Sequence, residues 1–115
     1  LEHLYKEDAE RLMREAYRVL KPGGCIRICV PDLEHAVRQY LKGNKEHALS
    51  YFFCPSKSGA LGRHHYLYDA ELLATLLTRA GFGGATRCAY QQGQVPDIDK
   101  LDNRPEETLY MEAHK

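Results

Sequence analysis

Arg18-Val19-Leu20-Lys21-Pro22-Gly23-Gly24-Cys25-Ile26-Arg27-Ile28-Cys29-Val30-Pro31 is the stretch that decides the fold, because a helix ends and a strand begins within it. Upstream of it, Ala9, Leu12, Met13, Ala16, Tyr17 and Leu20 recur at three-and-four spacing, which predicts an amphipathic helix from Lys6 to Leu20. Glu7 and Asp8 suit the positive end of its dipole. Lys21 to Gly24 stops it, since Pro22 cannot continue a helix and the glycines supply left-handed turn geometry. Cys25 to Val30 reads as a short, largely buried strand, with Ile26, Ile28 and Val30 on one face and Cys25, Arg27 and Cys29 on the other. Pro31 ends it, having no amide hydrogen to donate.

Downstream, Asp32 is placed to cap a second helix whose stripe is Leu33, Ala36, Val37, Tyr40 and Leu41, closed by Gly43-Asn44. Residues 43–67 read as a loop-rich insertion. Ala48 to Phe53 is capable of helix, while Pro55, Gly59 and Gly62 break any regular pattern. A third helix starts at the cap Asp69, carries Leu72, Leu73, Leu76 and Leu77 on its apolar face, and stops at Ala80-Gly81, with Phe82 folding back onto its end. Strands are expected over 85–91 and 107–113, separated by a polar connection containing Pro96. In the last strand Thr108, Tyr110 and Glu112 alternate with Leu109, Met111 and Ala113, the pattern of a half-buried strand. The order is α/β. The two closing strands, with no helix between them, pair antiparallel or lie in a mixed sheet, and the first strand is a candidate exposed edge.

Composition bounds the function. The 115 residues make at most one domain, and 43% hydrophobic with 28% charged residues is globular rather than disordered composition. Sixteen basic residues balance sixteen acidic ones, so no net field draws in nucleic acid or an anionic membrane. No apolar run crosses a bilayer and no signal segment is visible, which makes the cytoplasm the expected address. The first residue is Leu1 rather than Met, as expected if the true start has been removed or the sequence is a piece of a longer gene. Cys25, Cys29, Cys54 and Cys88 include no CxxC pair; reduced structural thiols are expected and no metal, although Cys54, His64 and His65 form an imaginable zinc set.

Leu1-Glu2-His3-Leu4, followed by a helix that ends in Arg18-Val19-Leu20-Lys21-Pro22-Gly23-Gly24 and at once by a strand, resembles the corresponding segment of class I S-adenosylmethionine-dependent methyltransferases. Val30-Pro31-Asp32-Leu33 is similar to the strand exit of a bacterial subgroup of predicted methyltransferases. Asp69-Ala70-Glu71-Leu72-Leu73, Ala80-Gly81-Phe82 and Leu109-Tyr110-Met111-Glu112-Ala113 resemble the family's last helix, its turn and its closing strand. The resemblance spans the whole chain. It implies a partial Rossmann-like α/β fold: a three-stranded mixed sheet, the last three strands of the family's larger one, with three or more flanking helices. It also implies S-adenosylmethionine as cofactor, a small-molecule or glycan-type methyl acceptor, and a chain inactive alone. The family's donor-cradling glycine turn belongs upstream of Leu1, and neither Gly23-Gly24 nor Gly81 to Gly84 follows a strand as such a turn requires.

By the same resemblance Glu2 and His3 border the donor pocket, unless they are a frayed terminus. Asp32, at the carboxyl end of the first strand, touches substrate or caps the next helix, and ordinary cap preferences favour the cap. His64 and His65 are candidate general bases toward an acceptor, because imidazole titrates near neutrality. Arg63 could hold an anionic acceptor, with Tyr66 and Tyr68 beside it; alternatively the tyrosines pack and the histidines and Arg63 are solvated, as Lys45 and Lys57 are expected to be. A rival reading is a non-catalytic interaction module that forms a homodimer through the first strand's open edge, with Ile26, Ile28 and Val30 lining the junction.

Overall fold

The computed structural model describes residues 1–53 and 62–115. Cys54, a member of the zinc set considered above, and Lys57 lie outside the described residues. The elements are α1 (Lys6–Val19), β1 (Cys25–Pro31), α2 (Leu33–Leu41), α3 (Lys45–Phe53), α4 (Ala70–Ala80), β2 (Gly83–Cys88), α5 (Ile98–Leu101) and β3 (Thr108–His114). The chain is therefore mixed α/β, with five helices among the described residues and a three-stranded open sheet.

Strand order in the sheet is β1-β3-β2, and both pairings are antiparallel. The expected mixed sheet is corrected here. The last strand enters between the first two, so β1 and β2 run parallel to each other yet never touch. The register aligns Val30 with Leu109, Ile28 with Met111 and Ile26 with Ala113 on one face. Arg27 opposite Glu112 and Cys29 opposite Tyr110 form the other. Central position also overturns the half-buried reading of β3: Tyr110 and Glu112 are as deeply buried as Leu109, Met111 and Ala113, because both faces of this strand are covered.

The apolar face is covered by α1 and α4. Ala9 and Met13 from α1 and Leu73, Leu76 and Leu77 from α4 meet Val30, Leu109, Met111 and Ala113. Full burial of such side chains is worth about 1.5–3 kcal/mol each. The end of α4 is fixed by Gly81 at φ 108, where the Phe82 amide donates to the Leu77 carbonyl (3.1 Å) and the Phe82 ring meets Tyr17 edge-on. A Cβ at Gly81 would lie 3.2 Å from the Tyr17 ring, so the turn needs glycine for packing as well as conformation.

Three expectations about stripes and boundaries are revised. Leu12 of α1 is exposed, and so are Val37, Tyr40 and Leu41 of α2, Leu41 at 78%. Helix α2 packs against α3 rather than on the sheet and buries only Ala36 fully, leaving the rest of its stripe uncovered among the described residues. Part of the segment read as loop-rich, 43–67, is the helix α3. Strand β2 begins at Gly83 and ends at Cys88, because a register irregularity at Gly83–Thr86 draws the glycines into the sheet and residues after Cys88 turn away to the far face.

Strand β1 is an edge strand among the described residues. The Asp32 amide donates toward β3, to the Glu107 carbonyl, and the next amide, that of Leu33, donates outward to Tyr68. By alternation Cys25, Arg27, Cys29 and Pro31 present their backbone to the open edge, where the missing N–H of Pro31 costs no ladder bond. Val30 is buried in the protein's own core, and Ile26 and Ile28 pack partly against it.

The far face is closed by a polar layer. All five N–H donors of Arg27 are used: Nε and Nη2 donate to Asp102 (3.0 and 2.6 Å), Nη1 to Glu112 (3.0 Å) and the Gln92 carbonyl, and Nη2 to the Ala89 carbonyl. Asp102 also accepts from the Gln91 amide and Glu112 from the Gln94 amide. A Cβ at Gly93 would sit 2.7 Å from Arg27 Nη1, so glycine permits the loop to come this close. Burial raises the carboxyl pKa of Asp102 and of Glu112, but Arg27 and the backbone amides outweigh it, and both lie below their ordinary values.

Arg27→Met keeps the aliphatic stem and strands two buried carboxylates, so it should cost about 3–5 kcal/mol of unfolding free energy at neutral pH in urea denaturation. A loss of about 0.5 kcal/mol, the scale of a surface substitution, would contradict this. In the unaltered protein the two carboxylates contribute stability that is complete above their unfolded pKa values of about 4 and is lost as the pH falls through the lower folded values.

Candidate functional site

A cleft of about 490 Å³ opens at the carboxyl end of β1. Its floor is Cys29, Val30 and Pro31; its walls are Glu2 and His3 of the N-terminal segment, Ser50 and Tyr51 of α3, His64, and the residues that lead into β3. Two distant pieces of chain are fastened together at its rim. The His65 amide donates to the Glu2 carbonyl (2.7 Å), with the Tyr66 amide adding a longer bond, and the Tyr5 and His65 rings stack at 4.2 Å. The N-terminal segment is therefore held in place rather than frayed.

Inside the cleft the His3 Nδ1 lies 3.1 Å from the Arg63 carbonyl, and the His64 Nδ1 is hydrogen-bonded to the Tyr51 carbonyl. A carbonyl only accepts, so both rings carry their proton on Nδ1 and, when neutral, leave a lone pair on Nε2. The rings stand 4.9 Å apart, and His3 Nε2 is 3.4 Å from Glu2 Oε1. One donor atom from each of Glu2, His3 and His64 lies within 4.8 Å of the other two.

The opposite wall is a second polar group. The Tyr51 hydroxyl donates to the Glu107 carboxylate, and Arg104 reaches the other Glu107 oxygen at 3.3 Å. Burial and the Glu107 charge push the Tyr51 hydroxyl well above the ordinary range, so it stays a neutral donor. Desolvation and the adjacent Asp102 raise the thiol pKa of Cys29 in the floor.

Of the residues singled out in the sequence, Glu2, His3 and His64 are brought together. His65 is exposed and stacked on Tyr5, outside this cleft. The Arg63 side chain is exposed, and its carbonyl is the part that contacts His3. Asp32 is buried, accepting from the Glu34 amide as the α2 cap and pairing with Arg87 at 2.7 Å; it does not line the cleft. Tyr66 and Tyr68 line a small cavity of about 120 Å³ with Lys6 and Leu76, and Tyr66 also lines, with His64 and His65, a separate cavity of about 460 Å³. The Tyr68 hydroxyl is buried without a hydrogen-bond partner among the described residues, and its pKa is pushed up to about 12 by burial. Sequence reading missed Tyr51, Arg104 and Glu107, which carry no motif and meet only through the fold.

Compared with family models, with curated proteins and with solved structures, the chain matches none. Among the described residues no helix is long and apolar enough to cross a membrane. The turn from β1 into α2, Val30 to Leu33, has no glycine, and its Asp32 is paired with Arg87.

The carbonyl partners fix both tautomers. Long-range nitrogen–proton NMR of the neutral rings is expected to show Nδ1–H for His3 and His64; Nε2–H as the dominant form in either would contradict the geometry.

Proposed function

We propose that the chain is the acceptor-side, C-terminal portion of an S-adenosylmethionine-dependent methyltransferase of Rossmann-like fold, acting on a small-molecule or glycan-type acceptor and inactive without a donor-binding half outside these residues. The observation that carries the reading is the gathering of Glu2, His3 and His64 at the carboxyl end of β1, where α/β sheets place their ligands. Two features support it further. Strands β1 and β2 run parallel with α4 between them in sequence, as in an α/β sheet, and among the described residues the outer edge of β1 is open to further strands. The motif resemblance covers the same elements in the same order.

In this reading the cleft holds the acceptor. His64 Nε2 accepts its proton, the Tyr51 carbonyl fixes the His64 ring, and Arg104 and Tyr51 orient acceptor oxygens. His65, turned outward against Tyr5, has no part in it. A second reading, the homodimeric interaction module, is favoured by the same open β1 edge.

Calorimetric titration with S-adenosylhomocysteine tests the first reading. The 115 residues alone should give no saturable heat and no thermal stabilisation, while a polypeptide that includes the upstream coding sequence should bind at micromolar level. Binding by the short chain would overturn the account of the donor half. Absence of binding by both, with a stable dimer in sedimentation, would favour the interaction module.

A further inference from the structure

We propose that Glu2, His3 and His64 form a binding site for a divalent transition-metal ion of the zinc class, with an open coordination position on the cleft. This goes beyond the methyltransferase reading and does not need it, because it rests on the donor set alone. Two imidazoles and one carboxylate are the ligand types of open, three-ligand zinc sites, in which a water or substrate oxygen completes the shell. Here their donor atoms already lie within 4.8 Å of one another.

A second, independent feature points to a cation. Each imidazole gives its Nδ1 proton to a backbone carbonyl, the outer contact that orients a metal-binding histidine, and in His3 the other nitrogen, Nε2, is the one beside Glu2. In that tautomer His3 Nε2 offers a lone pair to Glu2 Oε1 at 3.4 Å, two acceptors facing each other with no hydrogen between them. A positive charge placed among them relieves the repulsion. A proton on His3 would satisfy one pair; only a metal ion uses the third donor, His64, as well. Tyr51 and Arg104 line the same cleft and would hold an acceptor oxygen bound at the open position. With metal bound, His64 is a ligand in place of the base role given to it above, and the ion itself lowers the pKa of the oxygen it holds.

The test is calorimetric titration of the chelator-treated chain with zinc chloride, with Leu1 acetylated so that the terminal amine is not a ligand. One zinc ion per chain is expected. His3→Ala, whose side chain is 43% exposed and whose loss the fold should tolerate, should weaken binding at least about tenfold, and His64→Ala likewise. His114→Ala should leave binding unchanged. Cobalt in place of zinc should give a spectrum of nitrogen and oxygen ligands without a thiolate charge-transfer band. No saturable binding would overturn the proposal, as would binding insensitive to His3→Ala or a thiolate band marking a cysteine site. The outcome is separate from that of the S-adenosylhomocysteine titration: zinc binding by this chain, with no donor binding by the polypeptide that includes the upstream coding sequence, leaves this proposal standing and removes the other.

Discussion

Arg27 is the side chain on which the arrangement depends. It rises from an edge strand, crosses to the central strand at Glu112, and grips the loop that follows β2 through Asp102 and two carbonyls. A guanidinium buried among two carboxylates is stable only because every donor is satisfied, and each partner is fixed in turn. The constraint therefore runs both ways. Without the loop, Arg27 would be a buried, half-paired cation; without Arg27, the far face of β3 would be two buried anions.

The insertion of β3 between β1 and β2 has consequences for the cleft. It brings Glu107 and Arg104, just before β3, next to the carboxyl end of β1. Closing the far face with polar contacts leaves that end of the sheet as the place where side chains converge without being consumed by packing. Asp32 shows the contrast. It occupies the same end of β1, yet its carboxylate is committed to the α2 cap and to Arg87, and it is structural. The N-terminal segment contributes Glu2 and His3 to the cleft, and its backbone is tied to residues 65 and 66.

Much of the fold was legible in residues whose physics is local. The caps Asp32 and Asp69, the stop at Gly81 with Phe82 folded back, and the facing of Ile26, Ile28 and Val30 follow from short-range rules and hold in the structure. What failed depended on partners. The stripe of α2 was apolar, but periodicity cannot say whether a neighbouring surface exists to cover it, and Val37, Tyr40 and Leu41 are exposed. The alternation in β3 was read as one wet face, yet Tyr110 and Glu112 are covered by a loop whose affinity for them lies in Arg27, eighty-five residues from Glu112 in the chain. In the cleft, Glu2, His3 and His64 were visible as chemistry, whereas Tyr51 and Glu107 acquire meaning only through a long-range hydrogen bond.

Strand β3 organises a sheet whose β1 edge is open among the described residues. Native-state hydrogen exchange resolved by residue tests it most directly. Amides of Ile26, Ile28 and Val30, turned toward β3, should exchange only with global unfolding, and those of Arg27 and Cys29, turned to the open edge, should exchange far faster. Equal protection of the two sets would mean that another strand already covers the edge, and would contradict the account.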